Sequence, residues 1–214
     1  MKILILISFL TLSVPGIAAG YPGAIGLWAD PSFTDCDLAD YTPGLVTVYV
    51  AHQYTSGARG TRFMLTTGGG VTMVYLAHTS PYYTCGEPYS GICVEYDECK
   101  ENTFLILTIN YFGSGTSAAC SRMSVEPDPA VPSGTIEVLD CEGNVLMGTG
   151  GILIVNNDGS CPCIAEGLDQ AAGSRSKTDR VILRRNSENA SSYCPEPPSP
   201  VERNSWGHIK ALYH

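Results

Sequence analysis

Apolar residues along this chain fall into short runs, several of them alternating, and each run is closed by residues that favour turns. The pattern predicts strands over 24–28, 45–51, 61–66, 71–77, 92–96, 104–112, 122–125, 135–139, 145–147 and 152–155. Between them lie Thr42-Pro43-Gly44, Gly68-Gly69-Gly70, Gly113-Ser114-Gly115, the proline-rich stretch 127–134, Glu142-Gly143-Asn144 and Asn157-Asp158-Gly159, all suited to turns. The segments 47–50 and 105–108 are apolar at both parities, the mark of central strands buried on two sides. No long stretch carries a helical period, and no fixed-period repeat is present.

The pattern changes at both ends. Lys2, the apolar run 3–12 and the small residues of Pro15-Gly16-Ile17-Ala18-Ala19-Gly20 read as a signal peptide over 1–19. The run is too short to cross a bilayer, which needs about 20 apolar residues, and Pro15-Gly16 interrupts it. The mature chain is therefore expected to be secreted, at the cell surface or in a periplasm, with no membrane span. A body over 20–165 is followed by a polar, proline-containing linker over 166–203 and by a short segment over 204–214. In a helix, Trp206, Ile209, Leu212 and Tyr213 would share one side, so this end, with Lys210, is expected to dock or to serve in sorting.

Composition sharpens the class. With 23 glycines, 14 prolines and 15% charged residues, the chain is rich in turns and poor in helix signals. Fifteen acids in the body face only Arg59, Arg62, Lys100 and Arg122, a balance of −11, whereas residues 166–214 carry +1. Such a body repels phosphate backbones, so nucleic acid is not an expected partner. Nine cysteines stand at 36, 85, 93, 99, 120, 141, 161, 163 and 194. In an exported chain they predict disulfides among Cys36, Cys85, Cys93, Cys99, Cys120, Cys141, Cys161 and Cys163, with Cys194 as the odd one. Cys85 and Cys93 flank a turn-rich loop and are the first choice for a local pair. Cys161-Pro162-Cys163 lacks the two-to-four-residue gap of a zinc knuckle, and no metal or other cofactor is expected.

Short strands at this spacing predict an all-β protein, a single immunoglobulin-like or cohesin-like β-sandwich. Three segments also carry a resemblance. They are 25–30 (Ile-Gly-Leu-Trp-Ala-Asp) followed by Cys36; 125–163, from Val-Glu-Pro-Asp-Pro through Ile-Glu-Val-Leu-Asp-Cys to Cys163; and the ending 205–213, Ser-Trp-Gly-His-Ile-Lys-Ala-Leu-Tyr. Together they resemble an uncharacterised family of small secreted, cysteine-containing proteins of uncultivated bacteria. The resemblance implies a bacterial, secreted origin and a modular C-terminal segment, and it implies no activity.

Catalytic patterns are scarce. His52 and His78 end predicted strands, but no G-x-S-x-G, H-E-x-x-H or phosphate-binding loop accompanies them. Glu95, Asp97 and Glu98 form an acidic group beside Cys99, and 156–160 only partly matches a calcium loop. The candidate binding element is the loop holding Tyr82, Tyr83, Glu87 and Tyr89, because exposed tyrosines grip sugar rings and protein surfaces. The expected function is a non-catalytic extracellular module, structural or adhesive, with a glycan or a surface protein as partner. The alternative is a carbohydrate-binding module or weak glycan hydrolase using that loop.

Overall fold

A computed structural model describes residues 21–161 and Cys194. The expected signal peptide over 1–19, Cys163, the docking segment over 204–214 and the linker over 166–203, apart from Cys194, lie outside the described residues. The strands are β1 (Ala24–Trp28), β2 (Asp37–Leu38), β3 (Pro43–Gly68), β4 (Val74–Thr79), β5 (Tyr83–Glu87), β6 (Gly91–Ser114), β7 (Ser121–Glu126), β8 (Ile136–Leu139), β9 (Val145–Gly150) and β10 (Ile152–Val155). Among the described residues no helix is long and apolar enough to cross a membrane.

The architecture is an all-β sandwich built on two long antiparallel strands. β3 and β6 run against each other from Pro43↔Ser114 to Phe63↔Ile92. Their first portions form one layer with β1 on one flank, through Leu27↔Val50, and β4 on the other, through Val74↔Phe112. Farther along, β3 pairs with β8 through Thr61↔Val138, and β6 pairs with β5 through Thr84↔Val94. The last residues of β3 pair with β7, which continues the sheet to β10 and then β2. β9 joins β8 in antiparallel fashion and β1 in parallel.

Two expectations change here. The segments 45–51 and 61–66, and likewise 92–96 and 104–112, are each one continuous strand rather than two. The polar breaks between them are bulges, with register shifts at Val50/Ala51, His52/Thr55, Thr55/Ala58 and Ala58/Gly60. A bulge bends a strand without ending it, and it is marked by left-handed residues: Tyr54, Gly57 and Asn102 all have positive φ. A side chain at Gly57 would place its Cβ 2.9 Å from Cys141 Sγ. The loop 83–87 is strand β5, and Pro43-Gly44, expected in a turn, opens β3, where proline is tolerated at the first strand position.

The core lies between the layers. Val46, Val48 and Val50 of β3, Leu107, Ile109 and Tyr111 of β6, and Phe63, Ile92 and Val94 farther along the ladder are buried together with Leu27, Met123, Val138 and Leu153. Disulfides Cys99–Cys141, Cys120–Cys161 and Cys93–Cys194 tie residues 42, 41 and 101 positions apart. Each removes about 3–5 kcal/mol of chain entropy from the unfolded state in the loop-closure model. Cys36 is disulfide-bonded as well. Pairing corrects the local expectation. Cys85 keeps a free thiol while Cys93 joins Cys194, so Cys194 is not the odd one out.

A buried polar network joins both ends of the body. Asp40 Oδ2 accepts the Ser117 hydroxyl at 2.6 Å, and Oδ1 accepts the Gly115 amide at 2.9 Å. Asn156 Oδ1 accepts the Asp40 amide at 2.7 Å, while its Nδ2 donates to the carbonyls of Asp40 and Ser117 at 3.0 and 2.8 Å. Truncating Asp40 strands several donors away from water. Asp40→Ala is therefore expected to lower unfolding free energy by roughly 2–4 kcal/mol in denaturant titration, whereas Asp97→Ala, at an exposed acid, changes it by about 0.5 kcal/mol or less.

Candidate functional site

The ladder that builds the core also sets what faces outward. Residues directly opposite on antiparallel strands point to the same side of a sheet, so Leu45, its partner Phe112 and the next partner Val74 form one row across β3, β6 and β4. Their neighbours Val46, Tyr111 and Tyr75 point inward and are buried or half-buried. The outward row is open: Leu45 is 70% exposed, Val74 61% and Phe112 48%. Leu76, the extra residue of the β4 bulge between Tyr75 and Ala77, is 52% exposed. Along the same side follow Thr47 and Asn110, joined at 3.0 Å. Four large apolar groups on three adjacent strands thus sit beside uncharged polar ones.

Beneath β4 an aromatic network holds this edge strand. Tyr75 donates its hydroxyl to Glu87 Oε2 at 3.2 Å and lies 2.7 Å from His78 Nδ1. The Tyr75 ring meets those of Tyr89 and Tyr111 edge-on, with centroids 5.7 and 6.2 Å away, and Tyr89 donates to the Tyr111 hydroxyl at 2.9 Å. Burial holds the Tyr111 phenol far above the ordinary tyrosine range, with the Tyr89 and Tyr75 phenols adding to it. Burial, and then the Glu87 charge, also raise Tyr75. Both phenols stay protonated, Tyr75 donating to Glu87 and Tyr111 accepting from Tyr89.

The loop tyrosines are divided between two places. Glu87 and Tyr89 belong to the network under β4. Tyr82 packs against Tyr96 and Phe104, with centroids 5.0 and 6.1 Å away, and Lys100 Nζ lies 5.7 Å from its ring centre. Tyr83 stands on β5 opposite Glu95, 40% exposed. Asp97 and Glu98 flank Lys100 at 3.6 and 2.6 Å, as solvated ion partners. Asn156 belongs to the buried network, and Asp158 caps its own turn through Ser160. Trp206, Ile209, Lys210, Leu212 and Tyr213 lie outside the described residues.

The two histidines expected at strand ends are placed differently: His78 lies near the end of β4, but His52 lies inside β3, at its bulged stretch. His78 sits at the edge network, whereas His52 is buried in the core against Tyr96 and Phe104. Its Nε2 lies 2.7 Å from the Pro22 carbonyl, which can only accept, so Nε2 carries the proton and Nδ1 accepts the Tyr96 hydroxyl at 2.9 Å. Burial pushes its pKa down to about 4, against a smaller upward pull from the Pro22 carbonyl.

Among the described residues, two cysteine-containing clusters have the spacing of metal ligands, Cys85/Cys93/Cys194 and Cys120/Asp158/Cys161. Each contains a disulfide, and a disulfide sulfur is not a thiolate ligand. The exposed row was absent from the sequence-based expectations. Nothing there points to it, because cross-strand neighbours 67 and 38 positions apart carry no shared local signal.

The described chain thus defines a class: an all-β, disulfide-stapled sandwich with an open apolar row on one layer. In solved structures it is similar to a type II cohesin domain from the cellulosome of Acetivibrio cellulolyticus, at 10% identity and a TM-score of 0.45, over 62% of this chain and 94% of that one. It is also similar to a cohesin module of a family 33 glycoside hydrolase from Clostridium perfringens, at 8% identity and a TM-score of 0.43, over 64% and 99%. A non-cellulosomal cohesin from Archaeoglobus fulgidus matches at 8% and 0.43, over 62% and 89%. No family model and no curated protein matches the chain.

His52 makes stability depend on pH with a definite sign. The unfolded imidazole takes a proton near its ordinary pKa of 6.5, while the folded one stays neutral down to about 4. Unfolding therefore takes up a proton in that window, and stability is lost as pH falls through it. Between about pH 7.5 and 4.5 the His52 contribution to unfolding free energy should drop by roughly 2.5 kcal/mol, and His52→Gln should remove that part of the slope in denaturant titrations.

Proposed function

We propose that this protein is an exported, non-catalytic binding module that takes a protein partner on the outer face of β3, β6 and β4. The observation that carries the reading is the row Leu45–Phe112–Val74 with Leu76, apolar side chains held open on a rigid sheet. Large apolar groups gathered on an otherwise polar surface are the usual mark of a protein contact. The disulfides suit an oxidising, extracellular compartment, and the N-terminal pattern of residues 1–20 suits export.

Charge narrows the partner. The body carries −11 while the row and its neighbours Thr47 and Asn110 are uncharged, so the fitting partner presents apolar side chains with lysine or arginine around them. The glycan alternative has less support, because Tyr82 and Tyr89 turn their rings toward aromatic partners of their own chain.

A photo-crosslinking residue at position 45 of the exported protein should capture a basic partner protein, and one at Arg122, exposed on β7, should not. Phe112→Asp should cut the capture roughly tenfold or more without lowering thermal stability. Equal capture from both positions, or capture untouched by Phe112→Asp, overturns the reading. So does glycan-array binding that Phe112→Asp leaves intact.

A further inference from the structure

Three sulfurs meet on the side of the β5–β6 hairpin. Cys85 and Cys93 are direct partners across its two strands. Cys93 is bonded to Cys194, which is fully buried, and the Sγ atoms of all three lie within 4.8 Å of one another. Cys85 alone is free, and it is half-buried. A thiol held against a disulfide is the reactant pair for thiol–disulfide exchange, which needs no external oxidant.

The product also fits the frame. Opposed residues in an antiparallel pair have Cα atoms about 4.5–5.5 Å apart, inside the span of about 4.4–6.8 Å that a disulfide bridges. A Cys85–Cys93 bond would therefore form across strands already in register, with no shift of the hairpin backbone. Cys194 reaches Cys93 from 101 positions away in the chain.

We propose that Cys85, Cys93 and Cys194 form a thiol–disulfide exchange site that ties Cys194 to the body or frees it. The Cys85 thiolate attacks Cys93 Sγ. The Cys85–Cys93 bond forms as the Cys93–Cys194 bond breaks, and Cys194 leaves as a thiolate that takes up the proton Cys85 gave to solvent. One disulfide and one thiol exist before and after. In the first state Cys194 is bonded to the body through Cys93; in the second that bond is gone and Cys194 carries a reactive thiol.

The surroundings set the rate. Burial raises the Cys85 pKa, opposed by the Arg62 guanidinium and the Cys93 backbone, with Asp128 and Glu95 adding to the rise. Arg62 is itself held by Asp128 at 2.6 Å. Exchange is therefore slow at neutral pH and faster in mild alkali, where the thiolate is populated.

In the test, the full exported chain, purified without reductant, is held in native buffer at about pH 8.5 for up to about a day, long against the minutes to hours of uncatalysed disulfide rearrangement. Samples are quenched with N-ethylmaleimide near pH 5.5 and mapped as non-reduced peptides. Label should pass from Cys85 to Cys194 in roughly a tenth of molecules or more, with a Cys85–Cys93 peptide rising in step. Cys85→Ser should leave Cys194 unlabelled. The proposal is overturned if Cys194 stays unlabelled throughout, if Cys93 takes the label instead, or if Cys85→Ser labels Cys194 as the parent does. None of these readouts depends on the apolar row, so the result stands apart from the binding reading.

Discussion

The antiparallel ladder between β3 and β6 governs this molecule, because the two long strands pair with each other and with β1, β4, β5, β7 and β8, and β3 runs on into the layer of β7, β10 and β2. A straight ladder would make one flat sheet with both faces open. Here the ladder bends through bulges between Val50 and Gly60, where left-handed Tyr54, Gly57 and Asn102 take up the extra residues. The bend brings Phe63, Ile92 and Val94 into one core with Val48, Val50 and Ile109. β1, β4, β5, β7 and β8 all attach to the flanks of this pair, so their registers are inherited from it.

The polar and covalent staples act where the ladder leaves ends loose. Cys99–Cys141 clamps the bulged stretch of β6 to the segment just after β8, beside Gly57. Cys120–Cys161 and the Asp40–Ser117–Asn156 network fasten the region before β7 to the two ends of the body. Burying the Asp40 carboxylate is tolerable only because backbone and hydroxyl donors surround it. On the β5–β6 hairpin one cysteine more than the pairing needs leaves a free thiol against a disulfide, a contact with chemical rather than purely structural consequences.

The same alternation that fills the core leaves the apolar row open. Tyr75 faces inward to the Tyr89–Tyr111 pair while Val74, one residue before it, faces out. Edge strands are liable to unplanned pairing, and the hydroxyl and carboxylate network beneath β4 holds this one in place. An apolar row held on paired strands loses little conformational freedom on binding, whereas the tyrosines of the 82–89 loop are divided between two aromatic clusters of their own chain.

Strand content and the scarcity of helix were determined by the sequence alone, because a side-chain period of two and turn chemistry are local properties. The central place of 47–50 and 105–108 within the sheet was legible from their apolar residues, but not that the outer side running on from Leu45 would stay open. Tertiary structure decided what depends on pairing between distant segments. It joined four expected strands into two, since bulges and turns share the same glycines and polar residues. It drew Cys93 to Cys194 rather than to its neighbour Cys85, divided the loop tyrosines and set Leu45 beside Phe112 and Val74. Each of these outcomes is a matter of register between residues far apart in the chain, and register is fixed by how the whole core packs.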